Sequence, residues 1–232
     1  MSLSVNGSQT IQQEIKPGYL QKCFRNNQFR SKHINYSPMK NLLIPFLSLL
    51  LSCSSQKNPL VLMETDLGLI RVELYPEKAP ITVANFLRYV DENRYEDAHF
   101  YRVVHMGNQP NNDVKIQVIQ GGLGFDNHPL ELPPIIHETT EETDVRHKDG
   151  MISMARLEPG TASSEFFICI NDQPELDFNG KRNPDSQGFA AFGKVVSGME
   201  FVRQIQQLPE TGQMLKKTVK IINIEKVITR KT

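Results

Sequence analysis

The chain has 232 residues, 39% hydrophobic and 22% charged, which is enough for one sizeable core in one or two domains. Its 26 Lys/Arg balance 26 Asp/Glu, but six of the basic residues and one acid fall in residues 1–40, leaving the remainder acidic by about five charges. That balance offers no nucleic-acid surface, and three cysteines in this length exclude a disulfide framework.

Residues 1–38 lack apolar periodicity and are expected to be an over-long start or a disordered extension. Met39-Lys40 then opens an apolar run that ends in small residues before Cys53. The run is too short to span a bilayer as a helix, so residues 39–52 read as a signal peptide. Leu50-Leu51-Ser52-Cys53 resembles a bacterial lipobox, in which the cysteine becomes the lipidated first residue of the mature chain. On that reading residues 53–58 are a polar tether, and a domain over 59–232 sits in the bacterial cell envelope facing the periplasm, anchored by acyl chains at Cys53. Cys169 lies in an apolar run and reads as a core thiol.

From Leu60 the elements follow in order. Leu60–Thr65 and Gly68–Tyr75, split by Asp66-Leu67-Gly68, predict a hairpin. Ala79-Pro80 starts a helix, with Val83, Phe86, Leu87 and Val90 at i, i+3, i+4 and i+7. Phe100–Val104 and Lys115–Gly122 are β-branched segments that each carry a strong donor. Strict alternation puts Arg102 on one face with Phe100 and Val104, and Gln120 with Val118 and Ile116. Between them, 105–114 is a polar loop beside whatever site these strands form.

Residues 123–148 are a long connection of low periodicity. Within it His137-Glu-Thr-Thr-Glu141 has acids and a histidine, but no second His one helical turn on, so no metal site is expected. Gly150–Ala155 and Ser164–Ile170 are strands, and adjacent Phe166 and Phe167 must face opposite ways. Phe189–Val195 is another strand, Met199, Val202 and Ile205 mark a second helix, and 219–229 closes the chain. The pattern predicts a mainly β fold: a closed antiparallel eight-stranded β-barrel capped by two α-helices.

Five pieces in this order carry a family resemblance: Ala79-Pro-Ile-Thr-Val-Ala-Asn-Phe86, Phe100-Tyr-Arg-Val-Val104, Ile119-Gln-Gly-Gly122, Ser153-Met-Ala155 with Ser164-Glu-Phe-Phe-Ile168, and Phe192-Gly-Lys-Val195. Over about residues 59–229 the chain resembles the cyclophilin family of peptidyl-prolyl cis-trans isomerases, more closely its bacterial secreted branch. The resemblance implies an isomerase of Xaa-Pro bonds in exported or unfolded polypeptides, accelerating their folding as a monomer and without cofactor or metal. Arg102 would be the catalytic arginine, with Gln120 its polar partner. Phe167, Leu176, Val118 and Phe189 would hold the proline ring, and Ala155 would lie under the residue before it. Several positions depart from the family pattern. Gln117 stands where a pocket Phe is usual, Arg156 and Glu165 replace Asn and Gln and would make the substrate-binding groups charged, and the Arg102-to-Gln120 spacing is longer. Glu175 in place of a Trp predicts weak cyclosporin binding. The competing reading is a non-catalytic module that binds proline peptides as a chaperone.

Overall fold

The computed structural model describes residues 58–124 and 128–227, and the leader, Cys53 and residues 1–38 lie outside them. Nine strands alternate with three helices: β1 (Leu60–Thr65), β2 (Gly68–Leu74), α1 (Pro80–Asp91), β3 (His99–Val104), β4 (Val118–Gly122), α2 (Thr140–Thr143), β5 (Met151–Met154), β6 (Phe166–Cys169), β7 (Ala190–Ser197), α3 (Met199–Gln206), β8 (Glu210–Thr211) and β9 (Met214–Lys226). The sheet runs β1-β2-β7-β5-β6-β4-β3-β9-β8, and antiparallel pairing of β1 with β9 closes eight of the strands into a barrel. Two-residue β8 is an outlier that only doubles back on the start of β9.

Alternation decides what fills the barrel. Val61 and Met63 from β1 and Ile70, Val72 and Leu74 from β2 point inward and are fully buried, while Leu69 and Arg71 between them are exposed. Phe86, Phe100, Phe166 and Phe192 meet inside, with Phe86 edge-on to Phe166 at 5.8 Å and tilted against Phe192 at 5.2 Å. Helix α1 caps one end. Its N-cap, Ala79, has no side chain to cap with. Glu138, from the long connection, takes over: its carboxylate accepts from the backbone N–H of Ile81 (3.1 Å) and Thr82 (2.7 Å) and from the Thr82 hydroxyl (2.6 Å). Helix α3 starts at Gly198, whose φ of 95° and close approach to Leu69 admit only glycine, since a Cβ would lie 2.3 Å from the Leu69 carbonyl oxygen.

The segment 123–148 holds an unexpected helix, the single turn α2, stabilised by a reciprocal capping box between Thr139 and Glu142. Glu138 and Glu142 are thus both used on helix N-termini, and His137 faces the Gln187 carbonyl oxygen at 3.2 Å. The closing strand begins at Met214, five residues before the expected start, because the turn Glu210–Met214 folds it back as a hairpin.

One register detail overturns the expected facing of Arg102. Both ladders of β3 shift between Phe100 and Arg102, so Tyr101 is an extra, bulged residue. Phe100 and Val103 pack in the barrel core, while Arg102 and Val104 lie on the outside. A bulge inserts one residue into a period of two, so residues two apart no longer share a face.

Candidate active site

Outside the barrel, a second apolar cluster of Val104, Ile116, Val118, Ala155, Phe167, Cys169 and Leu176, with Phe189 at its edge, floors a cleft of about 230 Å3. Phe167 stands at the centre, with Phe189 edge-on to it at 5.2 Å. A larger hollow of about 540 Å3 lies near Tyr75, Arg146 and Lys194, but it combines no apolar floor with a fixed donor. The cleft does, so the chemistry is placed there.

Arg102 reaches this floor from β3 with its guanidinium held on two sides. Nη1 donates to Gln120 Oε1 at 2.8 Å, while Nε (3.1 Å) and Nη2 (2.6 Å) share Gln213 Oε1. Among the described residues, three of its five guanidinium N–H groups are therefore used and two are left, one on each Nη. Burial lowers the Arg102 pKa from its usual value, but arginine remains a cation.

Gln120 is itself oriented. Its Nε2 donates to the Tyr101 hydroxyl at 3.0 Å, which donates in turn to Glu165 Oε2 at 2.5 Å. The other carboxylate oxygen of Glu165 accepts from Gly124 N (2.8 Å) and Ser164 Oγ (3.0 Å). Burial pushes the Glu165 carboxyl above its ordinary range, against the pull of these donors, and pushes the Tyr101 hydroxyl up as well. The bulge at Tyr101 makes this chain possible by placing two consecutive side chains, Tyr101 and Arg102, on the outer face.

Eight of the ten residues expected from the sequence line the cleft: Arg102, Gln120, Phe167, Leu176, Val118, Ala155, Phe189 and Arg156. Two do not. Gln117 gives way to Ile116, because Gln109 pins Ile116 by its backbone: Gln109 Oε1 accepts from Ile116 N at 3.1 Å, and Nε2 donates to Ile116 O at 2.8 Å. Gln117 instead uses its backbone on Gln173 Oε1 (3.2 Å) and Ile170 N (2.9 Å), and the wall is apolar at the place where the family pattern had set Gln117. Glu165 lies behind the wall, beside a neighbouring depression, with its carboxylate spent on Tyr101, Gly124 and Ser164.

Arg156 lines the cleft but is no free clamp for substrate. Its side chain is 1% exposed, and its donors go to both Asp185 oxygens (2.8 and 3.0 Å), the Gly188 carbonyl (2.9 and 2.5 Å) and the Leu157 carbonyl (3.1 Å). All five N–H groups are thereby accounted for. What the guanidinium offers is its face, 5.2 Å from the Phe189 ring centroid.

Ser153, His147 and Asp177 form a hydrogen-bonded series directly behind Phe167: Asp177 Oδ1 to His147 Nδ1 at 2.7 Å, and His147 Nε2 to Ser153 Oγ at 3.0 Å. It resembles a nucleophilic triad only in order. Ser153 is fully buried, so no substrate carbonyl reaches it. Burial lowers the His147 pKa, and His147 lies parallel to Phe167 at 5.9 Å and supports the cleft floor.

Tyr101, Gln213 and Arg182 join the site without having been read from the sequence, while Ile116 lies where alternation put it, on the face of Gln120 and Val118. Gln213 sits at φ 75° in the β8–β9 turn, and nothing in its polar neighbourhood marks it as a partner for a strand 111 positions earlier. Arg182 stands in a turn rich in Asn and Gly.

The fold and the cleft together define a β-barrel with a donor-bearing apolar groove. Its outline is shared with a cyclophilin-type peptidyl-prolyl cis-trans isomerase of Cryptosporidium parvum, at TM-score 0.56 and 20% identity over 75% of this chain and 99% of that one. A structure of the same protein in the presence of the dipeptide Ala-Pro matches at TM-score 0.58 and 20% identity, over 73% of this chain and 99% of that one. The sequence profile described as cyclophilin type peptidyl-prolyl cis-trans isomerase/CLD matches residues 60–226. Among curated relatives, a peptidyl-prolyl cis-trans isomerase of Acinetobacter baylyi is 36% identical over 81% of this chain and 95% of its own. Peptidyl-prolyl cis-trans isomerase B of Escherichia coli is 32% identical over 63% and 84%. The chain belongs to the cyclophilin-type peptidyl-prolyl cis-trans isomerase family, and it is an isomerase of that class.

Proposed function

We propose that the chain turns over Xaa-Pro bonds of exported or unfolded polypeptides at this cleft, with Arg102 as the catalytic residue and Gln120 as its partner. One observation carries the reading: a guanidinium fixed on two sides, with two N–H groups left over, stands above a floor of Phe167, Leu176, Ile116 and Val118.

Rotation about the peptide C–N bond is opposed by delocalisation of the nitrogen lone pair, a barrier of ~18–20 kcal/mol. In the twisted state the lone pair is localised on the prolyl nitrogen, and a donor aimed there stabilises only the top of the barrier. Reaching milliseconds from uncatalysed exchange in roughly tens of seconds takes about four decades, or ~5.5 kcal/mol. One charge-assisted hydrogen bond contributes ~1.5–3 kcal/mol. The two spare donors of Arg102 can serve the prolyl nitrogen and the preceding carbonyl oxygen together, and the apolar floor holds the ring still and keeps water from the charge. Ala155 gives an extended peptide room to lie across the groove.

The leader-like run before Cys53 supports export and a lipid tether, which would hold the domain near emerging chains on the periplasmic side of the bacterial envelope. Mass spectrometry of the mature N-terminus checks this, with a diacylglyceryl-modified Cys53 expected and an unprocessed Met1 or Met39 start refuting it. Magnetisation-exchange NMR on a blocked Ala-Pro peptide tests the chemistry. Arg102→Lys should lose most of the exchange with its backbone spectrum intact, since a point ammonium cannot hold two Gln acceptors and still present two donors. Wild-type exchange in that variant would remove Arg102 from the mechanism, whereas binding without exchange in the wild type would leave a module that only binds proline peptides.

A further inference from the structure

Beside Arg156, which Asp185 pairs, Arg182 brings to the cleft a second cation that has no ion pair among the described residues. It lines the same hollow as Arg102, and its Nη1 holds the loop 105–114 through the Val114 carbonyl (2.7 Å) and Gln109 Oε1 (3.2 Å). Nε and Nη2 have no protein partner among the described residues, which leaves three N–H groups unused. Every buried side-chain nitrogen and oxygen among those residues has a partner, so these donors are open to solvent on a residue that lines the cleft.

Among the described residues neither Arg102 nor Arg182 forms an ion pair. Asp185 is paired with Arg156, and neither Glu175, whose carboxylate accepts from the backbone N–H of Lys181 at 2.9 Å, nor Asp113 beside Val114 reaches ion-pair distance of the two arginines. Burial and the neighbouring charge of Arg102 both lower the Arg182 pKa, so the two cations repel across the hollow. Two partly buried like charges without a counter-ion are a cost that an incoming anion relieves.

The ladder gives the direction. Phe167 pairs with Gln120 and Ser153, Phe166 and Met154 mark the rung toward Ala155, and Val118 with Cys169 marks the rung toward Ile116 and Leu176. Arg182 lies at the Ile116 end through Val114 and Gln109, opposite Ala155. A peptide with the residue before proline over Ala155 therefore leaves the ring toward Arg182.

We infer that Arg182 is a specificity residue that, with Arg102, makes the cleft prefer prolyl peptides with Asp or Glu directly after the proline. The inference rests on the isomerase reading above and names the substrates that site favours.

The test is magnetisation-exchange NMR on three blocked peptides, Ala-Ala-Pro-Glu, Ala-Ala-Pro-Ala and Ala-Ala-Pro-Lys, at low and high salt. At low salt the Glu peptide should exceed the Ala peptide in kcat/KM by about fivefold, and Lys should fall below Ala. The Glu-to-Ala ratio should shrink toward one at high salt. Arg182→Gln, which keeps a donor for the Val114 carbonyl, should bring the ratio to about one even at low salt. Equal rates for Glu and Ala in the wild type overturn the inference while leaving the isomerase reading standing, and so does a preference that survives both salt and Arg182→Gln. If no peptide is catalysed, the isomerase reading fails. Chemical-shift titration then still decides the charge preference: tighter Glu binding upholds it, and equal binding overturns it.

Discussion

Tyr101→Phe removes one oxygen and leaves the ring's volume in place, which makes it the cleanest probe of the network behind Arg102. The hydroxyl donates to Glu165 at 2.5 Å and accepts from Gln120 at 3.0 Å, and both Tyr101 and Glu165 are buried. A hydrogen bond to a charged group contributes ~1.5–3 kcal/mol and a neutral one ~0.5–1.5, so the variant should lose about 2–4 kcal/mol at pH 7. A domain of this size has roughly 5–15 kcal/mol in hand and should remain folded. The loss should depend on pH in a definite sense. Burial raises the Glu165 carboxyl and the Tyr101 hydroxyl opposes that rise, so the variant's folded-state pKa climbs further. A raised folded-state pKa contributes stability below the unfolded value, about 4.3, which is lost as pH rises through the folded value. The penalty must therefore be smaller at pH 5 than at pH 7. Urea unfolding of wild type and variant at both pH values measures it. Exchange NMR should also show kcat/KM down about tenfold with KM little changed, since Gln120 would be held by Arg102 alone. Equal stability, or a penalty of the same size at both pH values, would refute the network as drawn.

Further outcomes follow from the same geometry. Asp185→Ala strands the Arg156 guanidinium, 1% exposed, without its carboxylate, and should cost about 3–5 kcal/mol in urea unfolding while loosening Phe189. His147 has a folded-state pKa lowered by burial, so its contribution is present above the unfolded value, about 6.5, and is lost as pH falls from there through the lower folded-state value; His147→Gln should flatten the stability-against-pH curve below about pH 7. Because Arg102 does not titrate in this range, kcat/KM should be flat from about pH 7 to 9, and a bell centred on a histidine value would contradict the mechanism. Gln213→Ala frees one edge of Arg102 and should lower kcat more than it raises KM, by single-turnover exchange measurements. Cyclosporin should bind weakly if, as the family resemblance implies, Glu175 replaces the Trp that contacts it, and a fluorescence titration giving nanomolar affinity would refute that.

Local pattern was a good guide wherever one residue's neighbours in sequence are its neighbours in space. The β1–β2 hairpin, the helix beginning at Pro80 and the opposed facing of Phe166 and Phe167 are all consequences of periods of two and 3.6 and of turn chemistry, and these are properties of a few consecutive residues. The family motifs placed Arg102, Gln120 and Phe167 in one cleft for the same reason: each motif is a short strand, and the barrel's pairing lays them side by side.

What the tertiary structure decided lies at points where the chain leaves its period or meets a distant segment. The bulge at Tyr101 moved Phe100 inside and left Arg102 outside, because one extra residue on one strand is invisible until its partners are known. Gln109 holds Ile116 in the wall, where alternation had put it and the family pattern had set Gln117, and Asp185 turned Arg156 from a clamp into a support through a side-chain contact that sequence spacing does not encode. Gln213 and Arg182 reached the site across 111 and 68 positions. Sequence alone thus carried the barrel and pointed to Arg102 as the candidate donor, since the strand pattern and the family motifs are both properties of short segments. The partners that hold that donor, and the second charge beside it, depend on which loops the closed barrel brings together.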